Sequence, residues 1–241
     1  MRVADRIATW LRDYAARAGA RGYVVGLSGG IDSACTAGLC RRAVGENVLA
    51  VLLPCHSLPE DGEMARLVAE AFGLQTVTVD VGPAYDALLA ALPPDLSDMA
   101  RANLKPRLRM TACYALAQTR GHLVAGTGNK SEIAIGYYTK YGDGGVDVEP
   151  LGDLYKWQVR ELARELGVPQ PVIDRLPTAG LWAGQTDEGE MGLTYAELDA
   201  TLAAIEAGQA AGVDPALLGK VQRMMAASAH KRAMPPLCKL T

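Results

Sequence analysis

Residues 22–34 read GYVVGLSGGIDSA. The first part, GYVVGL, is apolar and rich in valine, which reads as a buried strand. LSGGIDSA at 27–34 then turns and opens a helix. In that position Gly29 and Gly30 let the backbone come close to an anion. The first N–H groups of the helix point at the anion, and the helix dipole favours it. Ser28 and Ser33 add hydroxyl donors. Asp32 is the odd residue, because a carboxylate beside phosphates is repelled unless a cation lies between them. Mg²⁺ is the natural bridge. The string lacks the lysine and the spacing of G-x-x-x-x-G-K-[ST], and it is not G-x-G-x-x-G, so a Walker loop and a redox dinucleotide fold are both disfavoured.

Outward from this turn, a rhythm repeats. Apolar runs at 47–53 (NVLAVLL), 75–81 (QTVTVDV) and 122–126 (HLVAG) read as further strands. Their near-continuous apolar character suits a parallel sheet covered on both faces. Helical stretches are expected at about 33–44, 60–72, 83–92 and 104–120. This alternation predicts an α/β fold, doubly wound, with ligands at the carboxyl ends of the strands. Ahead of it, 2–19 reads as an amphipathic helix with Val3, Ile7, Leu11 and Tyr14 on its buried face.

Two stretches break the rhythm: 136–153, GYYTKYGDGGVDVEPLGD, and 178–193, TAGLWAGQTDEGEMGL. Loops this long in a compact fold are usually functional. Between them 155–166 is helical, ending at Gly167. Thr194 with Glu197 forms a capping box for a helix to about 207. Asp214-Pro215 starts a last helix running to about 230. The expected organisation is a single domain over 1–241 with a helical C-terminal extension from about 178.

Composition excludes several classes. Of 241 residues, 49% are hydrophobic and 21% charged, so a sizeable core is available. The net charge of -3 argues against broad nucleic-acid binding. No run approaches the roughly 18 apolar residues of a membrane span, and the N-terminus lacks a signal peptide's apolar region. The expected location is the cytoplasm. Cys35, Cys40, Cys55, Cys113 and Cys238 make no C-x-x-C pair or zinc pattern, and read as free thiols.

The 27–34 string resembles the phosphate loop of the ATP-pyrophosphatase (N-type) superfamily, whose members activate an oxygen by adenylylation and release pyrophosphate. Within it, GTGNKSEIAIGYYTKYGDGGVDVEPLGDLYKWQVREL at 126–162 is similar to a signature region of the NAD synthetase family. So are KPRLRMTACYALA at 105–117, GQTDE at 184–188 and His230-Lys231-Arg232. The resemblance runs from about residue 22 to 236. Ala183 stands where the family often has Pro, and Ala233 and Met234 interrupt its usual Pro-rich run. The resemblance implies a mostly parallel, five-stranded sheet of the adenine nucleotide alpha hydrolase type, with helices on both faces. It also implies that deamido-NAD, ATP and ammonia become NAD, AMP and pyrophosphate.

Carried over residue by residue, the resemblance places Gly26, Leu27, Ser28, Gly29, Gly30, Ile31, Asp32 and Ser33 on ATP, together with Thr127, Lys156 and Thr178. Asp32 and Glu132 match Mg²⁺ ligands. Arg107, Lys140, Asp147, His230 and Lys231 match positions that hold deamido-NAD. No residue is identified as a general base. Tyr137, Tyr138 and Tyr141 either stack on a ring or pack in their loop. The implied assembly is a homodimer. Only 21 residues precede the first strand, so the expected nitrogen source is free ammonia, or ammonia delivered by a separate protein. The rival readings are a sulfur transferase on the same fold, which needs catalytic thiols, and a nucleotide-binding module without chemistry.

Overall fold

The apolar runs alternate their side chains between two faces, and this alternation builds the layers. A computed structural model describes residues 2–182 and 184–240. Its sheet consists of β1 (Gly22–Gly26), β2 (Val48–Leu52), β3 (Gln75–Thr78) and β4 (His122–Ala125). All pairings are parallel, in the order β3-β2-β1-β4. Tyr23, Val25, Val48, Ala50 and Leu52 face one side, with α1 (Val3–Arg17), α2 (Ile31–Val44), α3 (Pro59–Phe72), α8 (Lys156–Leu166) and α9 (Gln170–Asp174). Val24, Leu49, Val51 and Val124 face the other, against Cys113 and Ala117 of α6 (Leu104–Arg120). Beside α6 lie α4 (Gly82–Ala91) and the short α5 (Asp98–Ala102). Val24, Val25 and Val51 have no exposed surface, and each contributes about 1.5–3 kcal/mol by burial.

The chain winds from β1 through β2 to β3, then returns to lay β4 on the other side of β1. The carboxyl ends of β1 and β4 are therefore the switch point, where a doubly wound sheet opens a crevice. From β4 the chain enters α7 (Lys130–Ile135). Further on, α10 (Asp187–Met191), α11 (Tyr195–Glu206) and α12 (Pro215–Ala227) follow α9. Ile135 and Tyr155 join Met191, Leu193, Leu198, Leu202 and Val221 in a smaller core that fastens this helical extension to the sheet. Thr194 and Glu197 form the capping box read from the sequence, and Asp214 caps α12.

Three expectations are corrected. The sheet has four strands, not five: beside β4 only a single bridge forms, Ala125 with Val148, and the Gly-rich segment before it curls into turns. β3 is not covered on both faces, since Gln75, Thr76 and Thr78 are exposed at the sheet edge. In α1 the buried stripe is Ala4, Ala8, Leu11 and Ala15, while Val3 is exposed and Ile7 and Tyr14 are half-buried. Small side chains let α1 approach its neighbours closely, so its face is set by alanines. Within the second irregular stretch, α10 is an unforeseen helix, and Ala183 lies outside the described residues.

Candidate active site

The turn after β1 is stiffened from within. Ser33 Oγ accepts from the Ser28 N–H at 3.2 Å and donates to Gly30 O at 2.9 Å. The Gly30 N–H donates to Ser28 Oγ at 3.2 Å. Gly29 has φ +82°, and a Cβ there would lie 2.6 Å from Asp61 O, so the position requires glycine. Gly30 caps α2 without a side chain. The first N–H groups of that helix are thus left for an anion.

Asp32 leaves this turn and meets groups from two other elements. Asn129 Nδ2 donates to its Oδ1 at 2.9 Å, and Lys156 Nζ donates to its Oδ2 at 2.6 Å. Lys156 also reaches Glu132 Oε1 at 3.2 Å. Glu132 is held by a capping box in which Asn129 Oδ1 accepts from the Glu132 N–H and Glu132 Oε2 accepts from the Asn129 N–H. Lys156 is buried at 2% exposure. Burial alone lowers an ammonium's pKa, but Asp32 and Glu132 outweigh it and raise the value, keeping the lysine charged. Glu132 is raised by burial, then by Asp32 and Asp187, with Lys156 opposing.

The second half of the site comes from 136–147, α6 and the C-terminal end. Lys140 Nζ donates to His230 O at 2.7 Å, and Lys231 Nζ donates to Gly136 O and Tyr138 O, each at 2.7 Å. Arg107 Nε donates to Lys140 O at 3.4 Å. Tyr138 and Tyr141 carry Lys231 and Lys140 over their rings at 5.3 Å. Tyr137 instead donates to Glu190 Oε2 at 2.8 Å.

Both halves line one cleft of about 1060 Å³. Gly26, Leu27, Ser28, Gly30, Ile31, Asp32, Ser33, Thr127, Glu132, Lys156 and Thr178 line it, and so do Arg107, Lys140, His230 and Lys231. A sequence model of the NAD synthase family matches residues 3–235. The chain belongs to the NAD synthase family. It is 47% identical over 235 residues to the NH(3)-dependent NAD(+) synthetase of Carboxydothermus hydrogenoformans, covering 96% of this chain and 94% of that one. Among solved structures, the NMN synthetase of Francisella tularensis has a TM-score of 0.92 and 37% identity over 99% of this chain and 98% of that one. The NH3-dependent NAD synthetase of Campylobacter jejuni, in complex with the nitrate ion, has a TM-score of 0.85 and 29% identity over 98% of each chain.

Two residues matched to the family pattern do not line the cleft: Gly29, whose work is in the turn, and Asp147. Asp147 is exposed. Its carboxylate accepts from Tyr114 OH at 3.0 Å and from the Val124 N–H at 2.7 Å. Its bonds are those of a buttress for β4.

Residues that the sequence reading missed are also present. Asn129 is fully buried and joins Asp32 to Glu132; its place three residues before Glu132 is the spacing of a capping box. Arg109 lines the cleft and ties α6 to the loop after β2, donating to Leu53 O at 3.0 Å and Ser57 Oγ at 3.3 Å. Tyr195 and Asp187 complete the surroundings of Glu132.

The thiols read differently from a catalytic set. Cys35, Cys40, Cys55 and Cys113 are buried and free. Burial pushes all four pKa values up, Cys113 to about 11. Only Cys113 lines the cleft among the described residues, and as a neutral thiol it is a poor nucleophile.

Proposed function

We propose that this chain joins ammonia to the nicotinate carboxylate of deamido-NAD, using ATP and giving NAD, AMP and pyrophosphate through an adenylylated intermediate. One observation carries the reading. A single cleft of about 1060 Å³ has an anion-holding turn with two carboxylates at one end and Arg107, Lys140, His230 and Lys231 at the other. That is at the upper end of the roughly 300–1,000 Å³ typical of ligand sites, with anion-holding and basic groups at separate ends for two phosphate-bearing substrates.

ATP takes the turn at 26–33, with Thr127, Lys156 and Thr178 around it. The basic end holds deamido-NAD, with Asp147 steadying that side from outside the cleft. Asp32 and Glu132 are hard oxygen donors beside a phosphate site, the set that Mg²⁺ takes together with phosphate and water. When bound there, Mg²⁺ neutralises charge on the leaving pyrophosphate.

The nicotinate carboxylate attacks the α-phosphorus, and pyrophosphate departs against the N–H groups of the 28–33 turn. Lys156 adds a fixed positive charge to that end. The lone pair of ammonia then attacks the activated carbonyl carbon, and AMP leaves. No side chain is assigned as general base; positioning and fixed charge do the work. The loops at 136–147 and 178–193 close over the adenylate to exclude water. The chain acts as one domain with its helical extension from about 178. In this reading it works as a homodimer in the cytoplasm, fed by free ammonia or by a separate ammonia-delivering protein. No helix among the described residues is long and apolar enough to cross a membrane.

The structural similarity to an NMN synthetase favours one second reading, in which the substrate is the mononucleotide. The test is an assay of AMP and pyrophosphate release with ATP, Mg²⁺ and ammonium, comparing deamido-NAD with nicotinate mononucleotide. A higher kcat/KM for deamido-NAD supports the first reading. A higher value for the mononucleotide selects the second. No release with either overturns both.

A further inference from the structure

Glu132 and a cleft-lining segment are joined by one phenol. Tyr195 is the first residue of α11 and is 4% exposed. Its hydroxyl lies 3.0 Å from Glu132 Oε1 and 3.0 Å from Asp187 Oδ2. Its ring lies 4.8 Å from Lys156 Nζ, within cation–π range. Its own N–H donates to Glu188 Oε1 at 2.9 Å. Tyr195 is therefore bonded to α10 at both its backbone and its side chain. From Asp187 the bonds continue outward. Tyr137 OH donates to Glu190 Oε2 at 2.8 Å and lies 3.3 Å from Asp187 Oδ1. Gln185 Nε2 donates to Glu190 at 2.8 Å, and Gln185 Oε1 accepts from the Leu181 N–H at 2.8 Å. A series of polar contacts thus links Glu132 to Leu181, next to Trp182, with each phenol giving its one proton to one carboxylate at a time. Tyr195 does not itself line the cleft.

We propose that Tyr195 is a positioning residue: it holds Glu132 beside Asp32 and Lys156 and, through Asp187, clasps the cleft-lining 184–191 segment. The proposal rests on the reading of Glu132 as a metal ligand. Without the hydroxyl, Glu132 Oε1 keeps Lys156, and Asp187 keeps the longer contact to Tyr137 OH at 3.3 Å. A carboxylate held by one partner fewer pays more ordering entropy when it takes up a cation. A phenylalanine keeps the ring against Lys156, so the substitution removes the hydroxyl alone.

The experiment uses the full chain carrying Trp10→Phe and Trp157→Phe, which leaves Trp182 as the only tryptophan of three. Into it go Tyr195→Phe, Asp187→Ala and both together. Acrylamide quenching of Trp182 is measured without any ligand. The Mg²⁺ half-saturation of NAD formation and the KM for deamido-NAD are measured separately. The expected result is stronger Trp182 quenching in Tyr195→Phe and in Asp187→Ala, with no further rise in the double variant. Half-saturation by Mg²⁺ rises ~10-fold in Tyr195→Phe, the scale of one lost hydrogen bond to a charged group, while KM for deamido-NAD stays put. A merely structural defect moves both constants together. Unchanged quenching in the single variants, or an unchanged Mg²⁺ half-saturation, overturns the proposal. If Tyr195→Phe does not fold, Asp187→Ala carries the quenching test. If the wild-type chain makes no NAD at all, the functional reading fails, and Trp182 quenching alone still decides the clasp.

Discussion

Lys156 Nζ and Asp32 Oδ2 are 124 positions apart in sequence and 2.6 Å apart in the fold. The core brings them together: α2 and α8 pack side by side, with Cys35 Sγ 3.7 Å from Val159 O and Val159 fully buried. Glu132 adds a second carboxylate to the same ammonium. A buried ion pair earns its place when both partners are present and becomes a liability when one is removed.

Lys156→Met tests that balance. It leaves Asp32 and Glu132 facing one another without a cation, and the expected loss of stability is ~3–5 kcal/mol, read from urea unfolding without added metal. Adding Mg²⁺ narrows the gap to wild type, because a cation binding the folded state stabilises it. A variant as stable as wild type in EDTA contradicts the ion-pair account.

The carboxylates make a second test. Asp32→Asn and Glu132→Gln keep the side-chain shape and an oxygen for Asn129 and Tyr195, while the new NH2 faces Lys156 or the Asn129 N–H. Each is expected to lower kcat by ~10²-fold or more, about 2.7 kcal/mol of transition-state stabilisation. The double variant loses less than the sum, because both serve one leaving group. Normal turnover of both single variants at limiting Mg²⁺ returns Asp32 to the role of a helix-start residue.

Much of this site was legible in the chain because its parts are local. The strand, turn and helix of 22–34 sit in consecutive residues, and backbone geometry there follows from Gly29 and Gly30. The capping signals at Thr194 and Asp214 are equally local. What escaped depends on tertiary convergence. Tyr195 and Asp187 carry no motif that announces Glu132 as their neighbour, and none announces that Asn129 meets Asp32. The stripe on α1 was misplaced by one position because large side chains were weighted over alanines, and contact with α2 and α8 favours small ones. The fifth strand failed because Asp147 bonds to Val124 and the pairing stops at Val148. Asp147 matches a family position by sequence, and one bond to each of its oxygens comes from Tyr114 and the β4 backbone.

Nitrogen supply gives a third prediction. Ammonium salts support NAD formation and glutamine alone does not. At fixed total ammonium the rate rises with pH while the neutral fraction grows, since only neutral ammonia has the attacking lone pair. Mass spectrometry of product formed from ¹⁵N-ammonium reads this directly; turnover of the purified chain on glutamine without a partner contradicts it.

The last prediction concerns Glu149, a carboxyl behind the turn that follows β4. Its Oε2 accepts from the Gly128 N–H at 3.1 Å, and a Cβ on Gly126 would lie 2.4 Å from it, so the acid fills the space under that turn. Burial pushes its pKa up to about 8, with the Gly128 N–H opposing and Glu132 and Asp143 adding to the rise. An unfolded glutamate titrates near 4.3. Between these two values the folded chain holds a proton that the unfolded chain has released, so this group makes stability fall as pH rises from about 4.3 toward 8. Glu149→Gln keeps an oxygen for the Gly128 N–H and removes the titration. At pH 8 the variant is expected to melt at least ~2 °C above wild type, and below pH 4 the two converge, because wild type is then protonated in both states. Melting curves by circular dichroism across pH 4–8.5 read the difference. A constant gap between the two proteins over that range means that Glu149 is ionised in the folded chain and that the Gly128 N–H, rather than burial, governs it.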